Sequence, residues 1–147
     1  MTLFARFDIC GPDGSLYLRR WTLLKVFGWK LTLHRIVRPD YARDLHDHPW
    51  SFVTLVLRGG YVERMRDRKG LLQIRVNRPG RIRVNRAPHA HVIDRLPDGE
   101  AWTLVLHGRD KREWGFHTDC GWMHWRKYCD RVYAGRGPSE ESEGKRD

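Results

Sequence analysis

Along this chain apolar residues alternate with polar ones, or gather in brief runs. Turn signals interrupt them at intervals of roughly eight to twelve residues, the rhythm of an all-β sandwich or barrel. The predicted strands are Leu16–Val26, Lys30–Val37, Trp50–Leu57, Tyr61–Arg66, Leu71–Val76, Arg81–Val84, His89–Asp94, Ala101–His107 and Glu113–His117. The breaks fall at Gly28, Pro39, Gly59 and Gly60, Gly70, Pro79 and Gly80, Pro97 to Gly99, and Gly108. Glycine there admits a positive φ and proline presets a turn. No helical period holds through the middle of the chain, and Trp122–Val132 is read as one short helix. The stretch Ala134–Asp147 mixes charges and has almost no apolar content, so it is predicted to be a disordered tail. Residues 1–133 are read as a single β-barrel domain.

Composition supports a packed core: the 147 residues include seven Trp, five Tyr and five Phe. No run reaches the roughly 18 apolar residues of a membrane span. The opening stretch MTLFARFDICGPDG lacks a basic segment followed by an apolar one, so a cytoplasmic protein without a secretory signal is expected. Cys10, Cys120 and Cys129 are odd in number and lack zinc-like spacing, which suits free thiols. The formal charge of +10 suits an acidic partner, either a phosphorylated or carboxylated small molecule or nucleic acid, but a general preference for arginine explains it as well. The dense cluster Arg64 to Lys69 adjoins Gly70 and reads as a solvated hairpin end.

The candidate chemistry lies in two histidine pairs. In DLHDHPW, His46 and His48 are two residues apart, which on a strand places both on one face and Asp47 on the other. Two imidazoles form half of a transition-metal site, and neighbouring carboxylates can orient the rings. RAPHAHV repeats the spacing with His89 and His91. The expected ligands are His46, His48 and His89, with His89 preferred because it starts its predicted strand; His91 is the alternative third ligand or a fourth. His34 alternates with Thr32 and Ile36 and is a candidate substrate contact. His107, His117 and His124 read as packing residues. Trp114 is a candidate for lining a pocket, with core packing as the competing role. Arg35, Arg43 and Arg83 are candidates for gripping a carboxylate or phosphate, and Arg83 alone shares a strand parity with the histidines.

These motifs resemble those of the cupins, small β-barrels (a double-stranded β-helix, or jelly roll) with a metal near the axis. In DYARDLHDHPWSFVTLVLRGG, His46 and His48 fall on the cupin His-x-His, and Gly59 or Gly60 on the closing glycine. In VNRAPHAHV, Pro88 and His89 fall on the second motif. Asp40 replaces the first glycine, Phe52 or Val53 stands at the carboxylate ligand, Arg86 at the second-motif glycine and Ile93 at its distal asparagine. The resemblance therefore points to the all-histidine cupins, such as those around cysteine dioxygenase. It extends to an uncharacterised small cupin-like group that shares HDHPW.

The resemblance implies one divalent transition metal, with Fe(II) favoured and Zn, Ni or Mn as alternatives. It also implies a small anionic or aromatic substrate, and iron-dependent dioxygenation as the leading activity. The first rival is a cupin isomerase, epimerase or lyase, in which Tyr61 is a conceivable proton-transfer partner. The second is a non-enzymatic module that binds a ligand or nucleic acid. The catalytic residues are left open. A homodimer is expected, paired through the Trp-, Phe- and Leu-rich strands of Leu16–Val37.

Overall fold

The computed structural model describes residues 5–133; the predicted tail at 134–147 lies outside the described residues. The strands, in chain order, are β1 (Ala5–Cys10), β2 (Leu16–Val26), β3 (Trp29–Ile36), β4 (Leu45–His46), β5 (Phe52–Gly59), β6 (Tyr61–Arg66), β7 (Leu72–Asn77), β8 (Ile82–Asn85), β9 (His91–Arg95), β10 (Ala101–His107), β11 (Gly115–Thr118) and β12 (Gly121–His124). One helix follows, α1 (Trp125–Val132). Two antiparallel six-stranded sheets form, in the orders β1-β2-β3-β10-β5-β8 and β12-β11-β4-β9-β6-β7.

The sheets close on a core to which both contribute. Leu18, Ile36, Val56 and Ala101 come from the first sheet, and Tyr61 and Ile93 from the second. A second cluster, Ala42, Phe116 and Tyr128 with Trp114, Met123 and Trp125 against it, docks α1 at the opposite end of the second sheet. Two glycines permit close approaches here. A Cβ on Gly59, which has φ +67°, would lie 2.1 Å from Glu100 O, and one on Gly115 would lie 2.1 Å from Met123 O.

The alternation in the sequence locates the long strands, and three of them, Leu16–Val26, Tyr61–Arg66 and Ala101–His107, match residue for residue. Four differences have physical causes. β1 is an edge strand whose Asp8 pairs with Arg6 and Arg19, so it shows polar rather than apolar alternation. β4 has two residues, too short to leave a period. β12 occupies the start of the predicted helix, which begins only where His124 caps it by accepting from Arg126 N–H. The strand predicted from His89 begins at His91, because Pro88 makes a turn closed by His89 N–H donating to Arg86 O.

Cys10, Cys120 and Cys129 are free. Among the described residues no helix is long and apolar enough to cross a membrane.

Candidate metal centre

The segment that carries His46 and His48 is strand-like only at its start. β4 ends at His46, and His48 lies beyond it. The shared facing survives because Asp47 is pinned from behind. Its N–H donates to Gly115 O at 3.0 Å, and its carboxylate accepts the Gly115 N–H at 2.9 Å. The same carboxylate, 1% exposed, holds Arg112 Nη1 at 3.0 Å, His117 Nε2 at 3.1 Å and Trp122 Nε1 at 3.0 Å. His48 N–H then donates to Ala87 O at 3.0 Å. The two rings meet with their centroids 5.1 Å apart.

His91, the first residue of β9, pairs directly with His46. One ring nitrogen from each of His46, His48 and His91 lies within 4.8 Å of the others. The Nε2 atoms of His48 and His91 are 2.9 Å apart. The Nδ1 of His91 lies 2.6 Å from Glu63 Oε2. That hydrogen bond assigns the Nδ1 proton and turns the Nε2 lone pair of His91 toward His48. Two imidazole nitrogens at such a separation are stable only with a proton or a cation between them, since bare lone pairs repel.

Glu63 is itself fixed. It lies on β6, 1% exposed, and its Oε1 accepts from Arg75 Nε at 2.6 Å and Asn77 Nδ2 at 2.7 Å. Arg83 Nε donates to Asn77 Oδ1 at 2.8 Å, and Arg75 Nη2 to Asn85 Oδ1 at 3.2 Å. Burial pushes the Glu63 carboxyl up, but the hydrogen bond from His91, together with Arg75, outweighs it and holds the group at about 2. Burial also lowers His46 to about 4, against the opposing pull of Asp40. His48 is pushed well below 6.5 by burial, then by His91 and His46. Both rings are therefore neutral at physiological pH, the state in which imidazole ligates a metal.

This donor set fits a divalent transition metal: three converging imidazoles, one oriented by a buried carboxylate. At the position where the cupin resemblance places a carboxylate ligand, Phe52 packs edge-on against His48 with centroids 4.8 Å apart.

The other sequence candidates are placed as follows. His89 is outside the three-ring group, in the Pro88 turn; its ring centroid is 5.9 Å from that of His91, and its buried Nε2 has no hydrogen-bond partner. The ring that joins His46 and His48 is thus that of His91, the alternative third ligand, while the Pro88 turn sets His89 aside. His34 faces the barrel interior, its Nε2 3.0 Å from Thr32 Oγ1, and burial lowers it to about 3. His107 is buried, stacked on Trp50 at 4.4 Å, and its Nε2 has no partner. Arg83 is bound to Asn77, and Arg35 pairs with Glu100 at 2.7 Å on the outside of the barrel. Tyr61 belongs to the core, where burial raises its hydroxyl. Trp114 stacks on Trp125 at 5.6 Å, with its ring 6.5 Å from His46.

Glu63 and Asp47 were not among the candidates. The sequence signal for Glu63 was its parity with Tyr61 and Met65, which places a lone acidic residue on the otherwise apolar face of a strand.

No family model matches the sequence, and no curated protein does. Solved structures do match. A cupin-2 domain from Rhodospirillum rubrum overlaps 80% of this chain and 78% of its own, with TM-score 0.60 and 9% identity. The chain has the cupin fold. The iron(II) form of the epoxidase HppE overlaps 71% of this chain with TM-score 0.58 and 14% identity. A candidate mannose-6-phosphate isomerase from Ralstonia eutropha overlaps 60% of this chain and 81% of its own, with TM-score 0.52 and 22% identity. The chain spans only 56% of the HppE structure's length.

Proposed function

We propose that this cupin is a metal-dependent enzyme, that His46, His48 and His91 hold one divalent transition metal, and that Fe(II) is the native ion. The observation that carries this reading is the convergence of three ring nitrogens within 4.8 Å, with His91 oriented by a carboxylate that is itself buried and triply held. A bound iron(II) would supply Lewis acidity, redox capacity and open coordination positions for a small molecule and dioxygen. The reaction class we favour is oxygen-dependent oxidation of a small anionic or aromatic substrate.

The chain's own residues contribute orientation and a polar chamber. Glu63 holds the His91 proton on Nδ1, and Asp47 keeps His46 and His48 facing together. Thr32, Thr54, Thr103 and His107 are buried on inward positions of the first sheet and offer hydrogen bonds rather than apolar packing. Phe52 and Trp50 beside His48 give a flat aromatic wall. An isomerase is the second reading, supported by the overlap with the candidate mannose-6-phosphate isomerase.

Metal analysis of untagged protein purified without added metal or chelator, followed by oxygen-uptake screening, tests the proposal. Near-stoichiometric iron with substrate-dependent oxygen consumption is expected. Zinc, nickel or manganese with no oxygen uptake would favour the isomerase reading. No bound metal, and none taken up on reconstitution, would overturn both metal readings.

A further inference from the structure

The inward face of the first sheet changes character along its strands. Leu18, Ile36 and Ala101, in register across β2, β3 and β10, belong to the apolar core. The next inward positions toward the β2-β3 turn are Arg20, His34 and Thr103, again in register. Thr32 and Val105 follow, and then Lys30 stands opposite His107 on one side and Lys25 on the other. No Asp or Glu occurs in β2, β3, β5, β8 or β10. Like charges directly opposite each other are destabilising, so the Lys25–Lys30 pair costs the fold stability that a bound anion would recover. Asp110, exposed on the loop after β10, reaches His107 by its charge but forms no ion pair with Lys30.

Two imidazoles on this wall present acceptors. His107 is 4% exposed, and its Nδ1–H donates to Gly108 O at 3.2 Å, which leaves the Nε2 lone pair buried and without a partner. Thr32 Oγ1 donates to Val105 O at 3.2 Å, so at 3.0 Å it accepts from His34 Nε2–H, and the lone pair of His34 is on Nδ1. Burial, then the charge of Arg20, keeps His34 neutral. Burial, with Lys30 and Arg20 adding to it, lowers His107 despite its bond to Gly108. The wall borders the histidine cluster. His107 stacks on Trp50, whose ring is 6.4 Å from that of His48, and Phe52, opposite His107 on β5, packs on His48.

We infer that this wall is a substrate subsite and that its ligand is a hydroxylated small oxyanion, with a phosphate, phosphonate or carboxylate group against Lys30 and Arg20 and a hydroxyl donating to His107 Nε2. The two halves of the site ask for different groups. Lysine and arginine only donate, so they take an acceptor; a neutral imidazole whose Nδ1 proton is committed takes a donor. An aromatic acid satisfies the cations but leaves the buried Nε2 unpaired, and a site built to hydrogen-bond a hydroxyl discriminates against the analogue that lacks it. Arg35 and Arg83, already paired with Glu100 and Asn77, are not needed. The inference rests on the metal reading only in calling the ligand a substrate; binding on this wall needs no metal.

The test is isothermal titration calorimetry of the full chain, as purified and after chelator treatment, with glycerol 3-phosphate, propyl phosphate, glycerate and benzoate. Glycerol 3-phosphate or glycerate is expected to bind about tenfold or more tighter than propyl phosphate and benzoate, and the tighter of the first two names the anion. Lys30→Gln is expected to weaken that binding by about tenfold or more without lowering the thermal midpoint of the ligand-free protein. Arg78→Gln, an exposed cation between β7 and β8, is expected to change nothing. His107→Phe keeps a ring against Trp50 and is expected to erase the preference for the hydroxylated ligands. The inference is overturned if none of the four binds in either form, if Lys30→Gln leaves binding unchanged, or if benzoate binds as well as the hydroxylated anions. A chain that holds metal but fails these tests keeps the metal reading and loses this one; a chain that passes them without metal does the reverse.

Discussion

Glu63 Oε2 stands 2.6 Å from His91 Nδ1, and the carboxylate is almost wholly removed from solvent. A buried charge survives there because Arg75 and Asn77 share it. Glu63→Gln keeps the shape but removes the charge that orients and polarises the ring. Metal affinity is expected to fall ~10–100-fold, the usual cost of an outer carboxylate on a ligating histidine. Chelator competition measures it, and unchanged affinity would assign Glu63 a packing role alone.

The choice between His91 and His89 is a direct comparison. His91→Ala is expected to lower metal affinity by more than about 100-fold, beyond what loss of an outer partner costs. His89→Ala is expected to leave stoichiometry intact. If His89→Ala empties the site while His91→Ala does not, the three-ring assignment is wrong.

Asp47 supports a different prediction, because it touches no metal. Its carboxylate serves a backbone amide, Arg112, His117 and Trp122. Asp47→Ala strands these donors and should cost about 3 kcal/mol of stability. It should also weaken metal binding, by freeing His48 from His46. Denaturant unfolding of the metal-free protein reads the first effect; normal stability would contradict the role given to Asp47.

Acid sensitivity follows from the buried imidazoles. His46 and His89 are lowered from 6.5 to about 4, and His34 to about 3, each mainly by burial. The unfolded chain therefore takes up protons first as pH falls below 6.5, and the metal-free fold loses stability from there down to about 4, with His34 extending the loss to about 3. Each such group contributes up to about 1.4 kcal/mol per pH unit. Glu63, lowered from 4.5 to about 2, adds a further loss below 4.5. Thermal unfolding of metal-free protein at pH 7.5 and pH 5 checks this; an unchanged midpoint would refute it.

Much of this was legible in the sequence, for reasons particular residues make plain. Long strands such as Ala101–His107 announce themselves because every second side chain enters the interior. The paired histidines were visible because their spacing matches the strand repeat. That the ring of His91 joins the group while His89 stands aside follows from a turn at Pro88, a choice between two adjacent conformations that pattern alone does not decide. Glu63 was hidden because its partners, Arg75 and Asn77, lie on another strand and only the β6-β7 register unites them.

Tyr128 Oη donates to Asp44 Oδ2 at 2.8 Å across 84 residues, and Trp122 reaches Asp47 across 75. The stretch that presents His46 and His48 is thus clamped by the last elements of the domain to be made. On the ribosome, the first two histidines emerge long before anything holds them in place. Under the proposed metal reading, a high-affinity site would therefore be complete only once the β11-β12 hairpin and α1 have docked.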